Sequence, residues 1–295
     1  MDLRELRYFL AIAQEGSISK AAEALFVSQP SLSKQMKNLE EEIGGALFIR
    51  GSRKIELTQL GMILRRRAQE MLDLYSMTES ELRAPVGSIS GDIFIGGGES
   101  HAISVIAEAA KAMKADHPDV RFRFFSGDAT EVIEKLEKGL LDFGVLLDYP
   151  DTSAFESVTL PLKDRWGALV RKDSDLAALS SVTPRDLEGR PLICSEQSLS
   201  KGLISSWMGA SPEKLNIAAT YNLLYNATHF VRAGLGCAIS LDRLINLSED
   251  GDLRFIPLSP AIETRLDVVY KKYRPMTDQA SVFAEYLKKY CDRDR

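Results

Sequence analysis

The sequence predicts a multi-domain chain of three parts: a small, mainly helical N-terminal domain, one long helix, and a larger C-terminal α/β domain. Residues 3–47 show helical periodicity with short breaks, and an unbroken helical pattern follows from about Thr58 to Leu82. From Gly91 onward, β-rich runs alternate with amphipathic segments, which is typical of strand–helix–strand units and a largely parallel sheet. A chain of 295 residues is long enough for two folded domains.

The N-terminal part predicts three helices with clear end signals. Gly16 is suited to end the first helix, and Ser17 is suited to cap the second. Ser28 is a natural N-cap for the third helix, where Pro30 falls in the first turn and its missing N–H costs little. The predicted spans are Leu3–Gln14, Ile18–Leu25 and Ser28–Ile43.

The third helix has two different faces. Its predicted buried stripe consists of Leu32, Met36, Leu39 and Ile43. Pro30, Ser33, Lys34 and Lys37 lie on the opposite side, with Gln29 at the exposed leading end. Serine and glutamine can bind phosphates or base edges, and lysine neutralises phosphate charge. Two short helices with a tight turn and such a polar face predict a helix-turn-helix.

A short β-hairpin is expected after the third helix. Leu47–Arg50 and Arg53–Leu57 are separated by a turn at Gly51-Ser52. Arg53 and Lys54 fall at the tip, where they can reach a DNA backbone or minor groove. The alternative is a helical surface bundle whose charges are merely solvated, since exposed polar residues are the norm.

The charge distribution is compatible with DNA contact at one end of the chain. The net charge is −5, but residues 1–67 carry 11 Lys and Arg against 8 Asp and Glu. A mildly basic head on an acidic body suggests that phosphate contact is confined to that head. No stretch has the roughly 18 unbroken apolar residues of a membrane span, and the N-terminus does not resemble a secretory signal. We expect no membrane partner.

Little in the sequence favours metal or redox chemistry. The three cysteines, Cys194, Cys237 and Cys291, are far apart, which fits a reducing cytoplasm without disulfides. The three histidines form no metal-ligand spacing, so we expect neither a metal nor a cofactor. The glycine-rich run Gly96–His101 fails the dinucleotide pattern at His101, and no nucleophile elbow is present. We therefore do not expect an enzyme.

The N-terminal motifs resemble those of the LysR-type transcriptional regulators. The residues that carry the resemblance are Ala21-Ala22, Leu25, Ser28-Gln29-Pro30-Ser31, Ser33, Gln35, Leu39-Glu40, Gly44, Leu47-Phe48, Arg50, Arg53, Leu57-Thr58 and Gly61. The resemblance implies a winged helix-turn-helix whose third helix enters the major groove and whose wing contacts the flanking backbone. It implies DNA contacts by Ser28, Gln29, Pro30, Ser31, Ser33, Lys34, Lys37 and Arg53, with Arg50 either contacting DNA or bracing the wing.

The long helix predicts a partner helix. Leu64, Met71 and Thr78 recur every seven residues, as do Ala68, Tyr75 and Leu82, which together form a heptad-like stripe. The resemblance implies that this helix pairs two chains into a homodimer, and that two dimers commonly form a homotetramer. The resemblance is also compatible with RNA polymerase as a further partner.

The C-terminal residues resemble the effector domain of the same family. That resemblance implies two Rossmann-like subdomains, each like half of a periplasmic solute-binding protein. The predicted boundaries are 1–57 for the DNA-binding domain, 58–88 for the linker helix and 89–295 for the effector domain. Within the last, subdomain I would cover about 91–161 and 266–295, and subdomain II about 162–265.

A small-molecule effector is expected between the two subdomains. Ligands of open α/β sheets lie at the carboxyl ends of strands, against helix N-termini. The candidate residues are Glu99, Ser100, His101, Ser126, Asp128, Thr130, Asp148, Glu196, Gln197 and Ser198. If Glu99 and Glu196 face the cleft, they disfavour an anionic effector and favour a cationic or polyhydroxyl one. Alternatively, each caps a helix or faces water.

The sequence thus predicts a sequence-specific DNA-binding regulator whose activity a small molecule modulates. A different class, a small-molecule-binding protein with a vestigial DNA-binding head, remains as the alternative. Replacement of Lys34 and Lys37 by alanine distinguishes the two, because only a working head then loses affinity for all DNA sequences.

Overall fold

The chain divides into two compact units, Met1–Ala84 and Pro85–Arg295. The structure, a computed structural model, describes residues 1–50, 54–82, 88–149, 153–248, 251–273 and 275–292. Within those residues, we find no helix that combines the length and the apolar character required to cross a membrane.

Within its described residues, the N-terminal unit consists of four helices and a two-stranded sheet. Its elements are α1 (Leu3–Glu15), α2 (Ile18–Ala24), α3 (Gln29–Ile43), β1 (Phe48–Arg50), β2 (Ile55–Leu57) and α4 (Gln59–Leu82). The two strands are antiparallel, with Phe48 opposite Leu57 and Arg50 opposite Ile55. This is a helix-turn-helix followed by a wing, as predicted.

Local capping explains why the first helix ends close to the predicted residues. Asp2 accepts a hydrogen bond from the Glu5 amide at 2.8 Å, and the Glu5 carboxylate accepts one from the Asp2 amide at 2.8 Å. Gly16 ends α1 with φ 63°, a left-handed conformation that glycine adopts without a steric penalty. Such signals are contained in a few neighbouring residues, so the sequence alone displays them.

The core of this unit lies between α1, α2, α3 and the wing. Leu32, Met36 and Leu39 are buried, as predicted, and Ile43 is half-buried against them. On α1 the buried residues are Leu6, Phe9 and Ile12. Leu10 and Ala13 of the same helix are only half-buried.

The first half of α4 belongs to the same core. Ala68 is fully buried there, and Leu64 and Leu72 pack against it. Thr58 donates its hydroxyl to the Ala46 carbonyl at 2.8 Å and accepts a hydrogen bond from the Gly61 amide at 3.0 Å. A Cβ on Gly61 would lie 2.2 Å from the Leu47 carbonyl oxygen, so only glycine permits this close approach.

This packing corrects part of the predicted stripe. Leu64 and Ala68 contact their own head and are therefore unavailable to a partner helix. The apolar side chains that α4 leaves exposed are Leu60, Met62, Ile63, Met71, Leu74, Tyr75 and Leu82. Of these, Met71, Tyr75 and Leu82 belong to the predicted stripe, which is therefore still exposed in the second half of the helix.

In the part of the C-terminal unit that the structure describes, two mixed sheets carry helices packed on them. Its strands are β3 (Gly91–Gly97), β4 (Val120–Ser126), β5 (Phe143–Leu147), β6 (Phe155–Thr159), β7 (Asp164–Arg171), β8 (Leu192–Ser195), β9 (Ile217–Tyr221), β10 (Cys237–Leu241), β11 (Leu253–Pro257), β12 (Glu263–Thr264) and β13 (Leu266–Lys271). Its α-helices are α5 (Ile103–Asp116), α6 (Ala129–Lys138), α7 (Pro184–Leu187), α8 (Glu196–Ser200), α9 (Leu203–Met208), α10 (Leu224–Arg232) and α11 (Asp278–Asp292).

The first sheet has the order β4-β3-β5-β13-β6, and the second has the order β11-β7-β10-β8-β9 with β12 on β7. In each sheet three neighbouring strands are parallel to one another, and each of the remaining strands pairs with its neighbours in the antiparallel direction. The expectation of a largely parallel sheet was therefore only partly right. The chain passes between the sheets twice, after β6 and between β12 and β13.

Candidate functional site

The polar face of α3 is exposed at its leading end. Ser28, Gln29, Pro30, Ser31, Lys34 and Lys37 are all exposed, and Ser33 is half-buried. Gln29 is the first residue of the helix and Pro30 the second, where proline's missing N–H is harmless. The structure thus brings the predicted DNA-contacting residues of this helix together on one surface.

Ser28 occupies the N-cap position of α3, as predicted, but its side chain makes no capping hydrogen bond. By contrast, the Ser17 hydroxyl accepts a hydrogen bond from the Lys20 amide at the start of α2. The Ser28 hydroxyl is therefore available to a group outside the helix.

The two lysines of the face differ in their surroundings. Lys37 lies 3.5 Å from the Glu41 carboxylate, one turn along the helix. Lys34 has no ion pair with any residue that the structure describes. Both are exposed and able to meet phosphate oxygens.

The wing is described only in part. Arg50 ends β1, but its side chain and all of Arg53 lie outside the described residues. Lys54, the other predicted tip residue, is exposed.

The sequence analysis missed an exposed aromatic residue beside this surface. Phe26, in the turn between α2 and α3, is 96% exposed and has φ 55°. The helical pattern assigned it only to a turn, because periodicity carries no information about the exposure of loop residues.

The C-terminal unit contains a cavity of about 190 Å³ where the strands of both sheets end. Its lining comes from the segments that follow β3, β4 and β5 in the first sheet and β8, β9 and β10 in the second. The lining residues are Gly98, Glu99, Gly127, Asp128, Leu147, Asp148, Trp166, Ser195, Glu196, Gln197, Ser198, Lys201, Leu203, Tyr221, Asn222, Leu223, Leu241, Leu244 and Thr264. This is the location that the rule for open α/β sheets predicts.

Six of the ten predicted effector residues line this cavity: Glu99, Asp128, Asp148, Glu196, Gln197 and Ser198. Ser100, His101, Ser126 and Thr130 are not among its described lining residues. The Ser100 hydroxyl instead accepts a hydrogen bond from the Ala102 amide at 2.9 Å. Ser126 ends β4 and Thr130 lies in the first turn of α6, and both are exposed.

Side chains of the protein already cap the N-termini of three helices around the cavity, α6, α8 and α10. Asp128 accepts from the Glu131 amide at 2.9 Å and caps α6, and Ser195 accepts from the Ser198 amide at 3.2 Å and caps α8. At α10 the capping residue, Leu223, has no suitable side chain. Glu99 supplies the missing acceptor from the other sheet, and its carboxylate accepts from the Leu224 amide at 2.6 Å.

A second contact also crosses between the two sheets. The Lys201 ammonium, at the end of α8, donates to the carbonyl oxygen of Leu147 at 3.0 Å. Burial lowers the pKa of Lys201, and the nearby Asp148 carboxylate opposes that effect. Glu99 and Lys201 thus hold the two sides of the cavity together; we call these the two cross-cleft contacts.

The cavity lining includes apolar and aromatic residues that the sequence analysis did not identify. Trp166 donates its indole N–H to the Thr264 hydroxyl at 2.8 Å, and Tyr221 donates its hydroxyl to the Ile239 carbonyl at 2.8 Å. Their polar atoms are therefore satisfied inside the protein. The position of Tyr221 at the end of a parallel strand was a usable signal, but β9 had not been assigned.

A buried carboxyl group lies behind the cavity wall. Asp164 is fully buried at the start of β7, opposite the cavity residue Thr264. Burial raises its pKa, the neighbouring Asp242 carboxylate raises it further, and neither oxygen of Asp164 has a hydrogen-bond partner among the described residues. Asp164 thus favours its neutral form more than an exposed aspartate does.

The cysteines show no sign of activation. Burial raises the pKa of Cys194 to about 12 and that of Cys237 to about 11, so both remain thiols at neutral pH. In the part of the chain that is described, no three His, Cys, Asp or Glu side chains are grouped so that they could hold a metal ion.

Comparisons with known proteins place these features in a family. Residues 3–62 match the bacterial regulatory helix-turn-helix domain of the lysR family, and residues 87–292 match the LysR substrate binding domain. The HTH-type transcriptional regulator YwbI of Bacillus subtilis is 28% identical over 295 residues, which cover 98% of this chain and 97% of YwbI. The HTH-type transcriptional activator IlvY of Salmonella typhimurium is 34% identical over 145 residues, about half of each chain (49%).

Solved structures show the same fold. CbnR, a LysR family transcriptional regulator, superimposes with a TM-score of 0.77 at 20% identity and 99% coverage of both chains. HinK, a LysR family transcriptional regulator from Pseudomonas aeruginosa, has a TM-score of 0.57 at 26% identity and 98% coverage of both chains. The predicted fold class, a winged helix-turn-helix joined to an α/β effector domain, is thereby confirmed.

The two family matches together span most of the chain and coincide with the two structural features described above, the polar face of α3 and the cavity between the sheets. The chain therefore belongs to the LysR family and is a DNA-binding transcriptional regulator with an effector-binding domain.

Proposed function

We propose that a small-molecule effector binds the cavity between the two sheets and thereby changes how the protein acts on DNA. The observation that carries this proposal is the pair of cross-cleft contacts, because Glu99 and Lys201 link the two sides of the cavity. An effector that binds the two arrangements of the sheets with different affinity shifts the equilibrium between them. The proposed effector residues are Glu99, Asp128, Asp148, Glu196, Gln197 and Ser198, joined by Lys201, Trp166 and Tyr221.

For the DNA side, we propose that the leading end of α3 reads base edges and that its lysines contact phosphates. Ser28, Gln29, Pro30, Ser31 and Ser33 occupy the reading surface, and Lys34 and Lys37 flank it. Arg50 and Arg53 are proposed to contact DNA from the wing. Glutamine can pair with adenine through two hydrogen bonds, which suits Gln29 at the start of the helix.

We propose that the chain works in the cytoplasm as a homodimer, and as a tetramer of two dimers, with RNA polymerase as a further partner, and that it has no enzymatic activity. The exposed apolar side chains along α4 support dimerisation, since a second copy of the helix would bury them. The proposed division is 1–57 for the DNA-binding domain, 58–88 for the linker and 89–295 for the effector domain, the last split as the sequence analysis predicts.

The DNA-binding proposal is tested with DNA that the protein selects from a random-sequence pool. Lys34→Ala and Lys37→Ala should each weaken binding to all sequences and reduce the slope of log affinity against log salt by about one. Gln29→Ala should reduce discrimination between sites by about tenfold and leave the salt slope unchanged. Lys111→Ala, an exposed lysine of the other unit, serves as the matched control.

Two results would contradict the proposal. An unchanged gel shift for both lysine variants would favour a small-molecule-binding protein with a vestigial head. If every ligand that binds the full-length protein leaves DNA affinity and bending unchanged, the cavity does not regulate DNA binding.

A further inference from the structure

We infer that the effector of this protein is a small organic cation, an amine with an apolar body. The inference rests on the proposed function, because it concerns the ligand of the same cavity. Three properties of the cavity support it: its charge, the state of its helix N-termini, and its apolar lining.

The charged side chains that line the cavity are predominantly acidic. Four are carboxylates, Glu99, Asp128, Asp148 and Glu196, and the one lining cation among the described residues is Lys201. None of the four carboxylates forms an ion pair within the described part of the chain. The cavity therefore presents an excess of negative charge that attracts cations and repels anions.

Each of these carboxylates keeps an oxygen available for a ligand. One oxygen accepts a hydrogen bond from a backbone amide or a hydroxyl: Glu99 from Leu224, Asp128 from Glu131, Asp148 from Arg265 and Glu196 from Thr220. The second oxygen of each has no hydrogen bond to any residue that the structure describes. An ammonium group, which has three donors and no acceptor, is complementary to such oxygens.

At two helices of this cleft, the N-terminal N–H groups that commonly bind an anion already face a carboxylate of the protein. Helix N-termini attract anions through their unpaired N–H groups. Here the carboxylates of Asp128 and Glu99 occupy the N-termini of α6 and α10, where they also place a negative charge. To bind the N-terminus of α10, an anionic effector would have to displace Glu99 and then lie near the remaining carboxylates.

The rest of the lining indicates an organic cation rather than a metal ion. The described carboxylates do not converge into a metal site, so they surround a space instead of a point. Trp166, Tyr221, Leu203, Leu241 and Leu244 provide apolar surface for a hydrocarbon body. Because the Trp166 N–H and the Tyr221 hydroxyl are bonded inside the protein, their aromatic surfaces remain for contact with a cation.

The test uses sets of compounds that share a skeleton and differ in charge. Phenethylamine, phenethyl alcohol and phenylacetate form one set, and isoamylamine, isoamyl alcohol and isovalerate form another. Binding to the full-length protein is measured by calorimetry at neutral pH. We expect at least one amine to bind, and to bind about tenfold or more tightly than the alcohol and the carboxylate of its set.

Variants then assign the charge effect to the cavity. Glu196→Gln should weaken amine binding about fivefold to tenfold and narrow the difference between amine and alcohol. Glu213→Gln is the matched control and should leave binding unchanged. Glu213 is exposed, lies between β8 and β9 of the same sheet and is not among the residues that line the cavity. Circular dichroism verifies that both variants are folded.

The proposal is overturned if no amine binds, if a carboxylate or an alcohol binds more tightly than its amine, or if Glu196→Gln and Glu213→Gln behave alike. A different result would contradict the proposed function. In that case an amine binds the protein as expected, but it does not change the affinity of the protein for pool-selected DNA.

Discussion

Ser17 and Ser28 occupy the same position at the start of two neighbouring helices but use their hydroxyls differently. Ser17 caps α2, whereas Ser28 makes no capping hydrogen bond to α3. A serine at this position without a capping role suits a residue that binds an external group. The sequence predicts both serines as N-caps of their helices. Only the structure shows that one of them makes a capping hydrogen bond and the other does not.

This difference gives a paired prediction. Ser17→Ala should lower the free energy of unfolding by about 1 kcal/mol, because a backbone N–H loses its acceptor. Ser28→Ala should change stability by less than about 0.5 kcal/mol but weaken DNA binding. Urea unfolding and fluorescence anisotropy with pool-selected DNA measure the two effects. Equal loss of stability in both variants would contradict the assignment.

The buried Asp164 predicts a pH dependence of stability. In the folded chain the pKa of Asp164 is raised above the ordinary 3.8. At a pH between 3.8 and the raised pKa, Asp164 is therefore ionised in the unfolded chain but still protonated in the folded chain. The free energy of unfolding therefore falls as the pH rises through that interval. Asp164→Asn, which is neutral at every pH, should be more stable than the parent at neutral pH and lose this advantage below the ordinary value.

Thermal unfolding across this pH range measures the effect. Asp175→Asn is an informative control, because hydrogen bonding to Arg190 lowers the pKa of Asp175. The contribution of Asp175 to the pH dependence of stability therefore has the opposite sign. A neutral-pH melting temperature of Asp164→Asn below that of the parent would refute the prediction.

Among the elements, α4 shows most clearly what periodicity can and cannot reveal. The long helix and its limits were predictable, because an unbroken helical pattern is a local property. The partner of each apolar face was not, because Leu64 and Ala68 have the same spacing whether they contact the head or a second chain. Their burial is decided by α1, which lies far away in sequence.

The exposed face of α4 therefore carries the dimer prediction. Met71→Lys should shift the protein from dimer to monomer, since it places a charge in the proposed helix–helix contact. Ser76→Lys adds the same charge to an exposed polar position of the same helix and should leave the dimer intact. Light scattering coupled to gel filtration compares the two. Dissociation of both variants, or of neither, would argue against this face.

At the scale of the whole effector domain, several strands and their carboxyl ends were predictable, but β9 was not, and the cavity wall was only partly predicted. Residues that directly follow predicted strands, such as Glu99 and Glu196, were identified because the sheet rule concerns neighbours in sequence. Trp166 and Thr264 reach the wall through antiparallel strands whose pairing joins distant segments. Arg53 and the side chain of Arg50 lie outside the described residues, so their proposed contacts stay predictions.

The cross-cleft contacts predict how the two sheets behave without an effector. In Lys201→Met, which removes one contact, the amide of Leu224 should exchange its hydrogen faster, because separation of the sheets breaks the other contact more often. Lys214→Met, a lysine outside this cavity, should leave the rate unchanged. Hydrogen exchange monitored by mass spectrometry provides the measurement. Unchanged exchange at Leu224 in Lys201→Met would mean that the two contacts are independent.

The close packing of Gly61 against Leu47 has a geometric consequence for DNA recognition. With the first half of α4 fixed to the head, the recognition helix and the linker turn as one body, without a hinge between them. In the proposed dimer, the separation and the relative angle of the two recognition helices are then set by where the second halves of α4 meet. Each residue along that helix advances it by about 1.5 Å and turns it by about 100°. The register in which the two α4 helices pair therefore determines the distance between the two DNA half-sites.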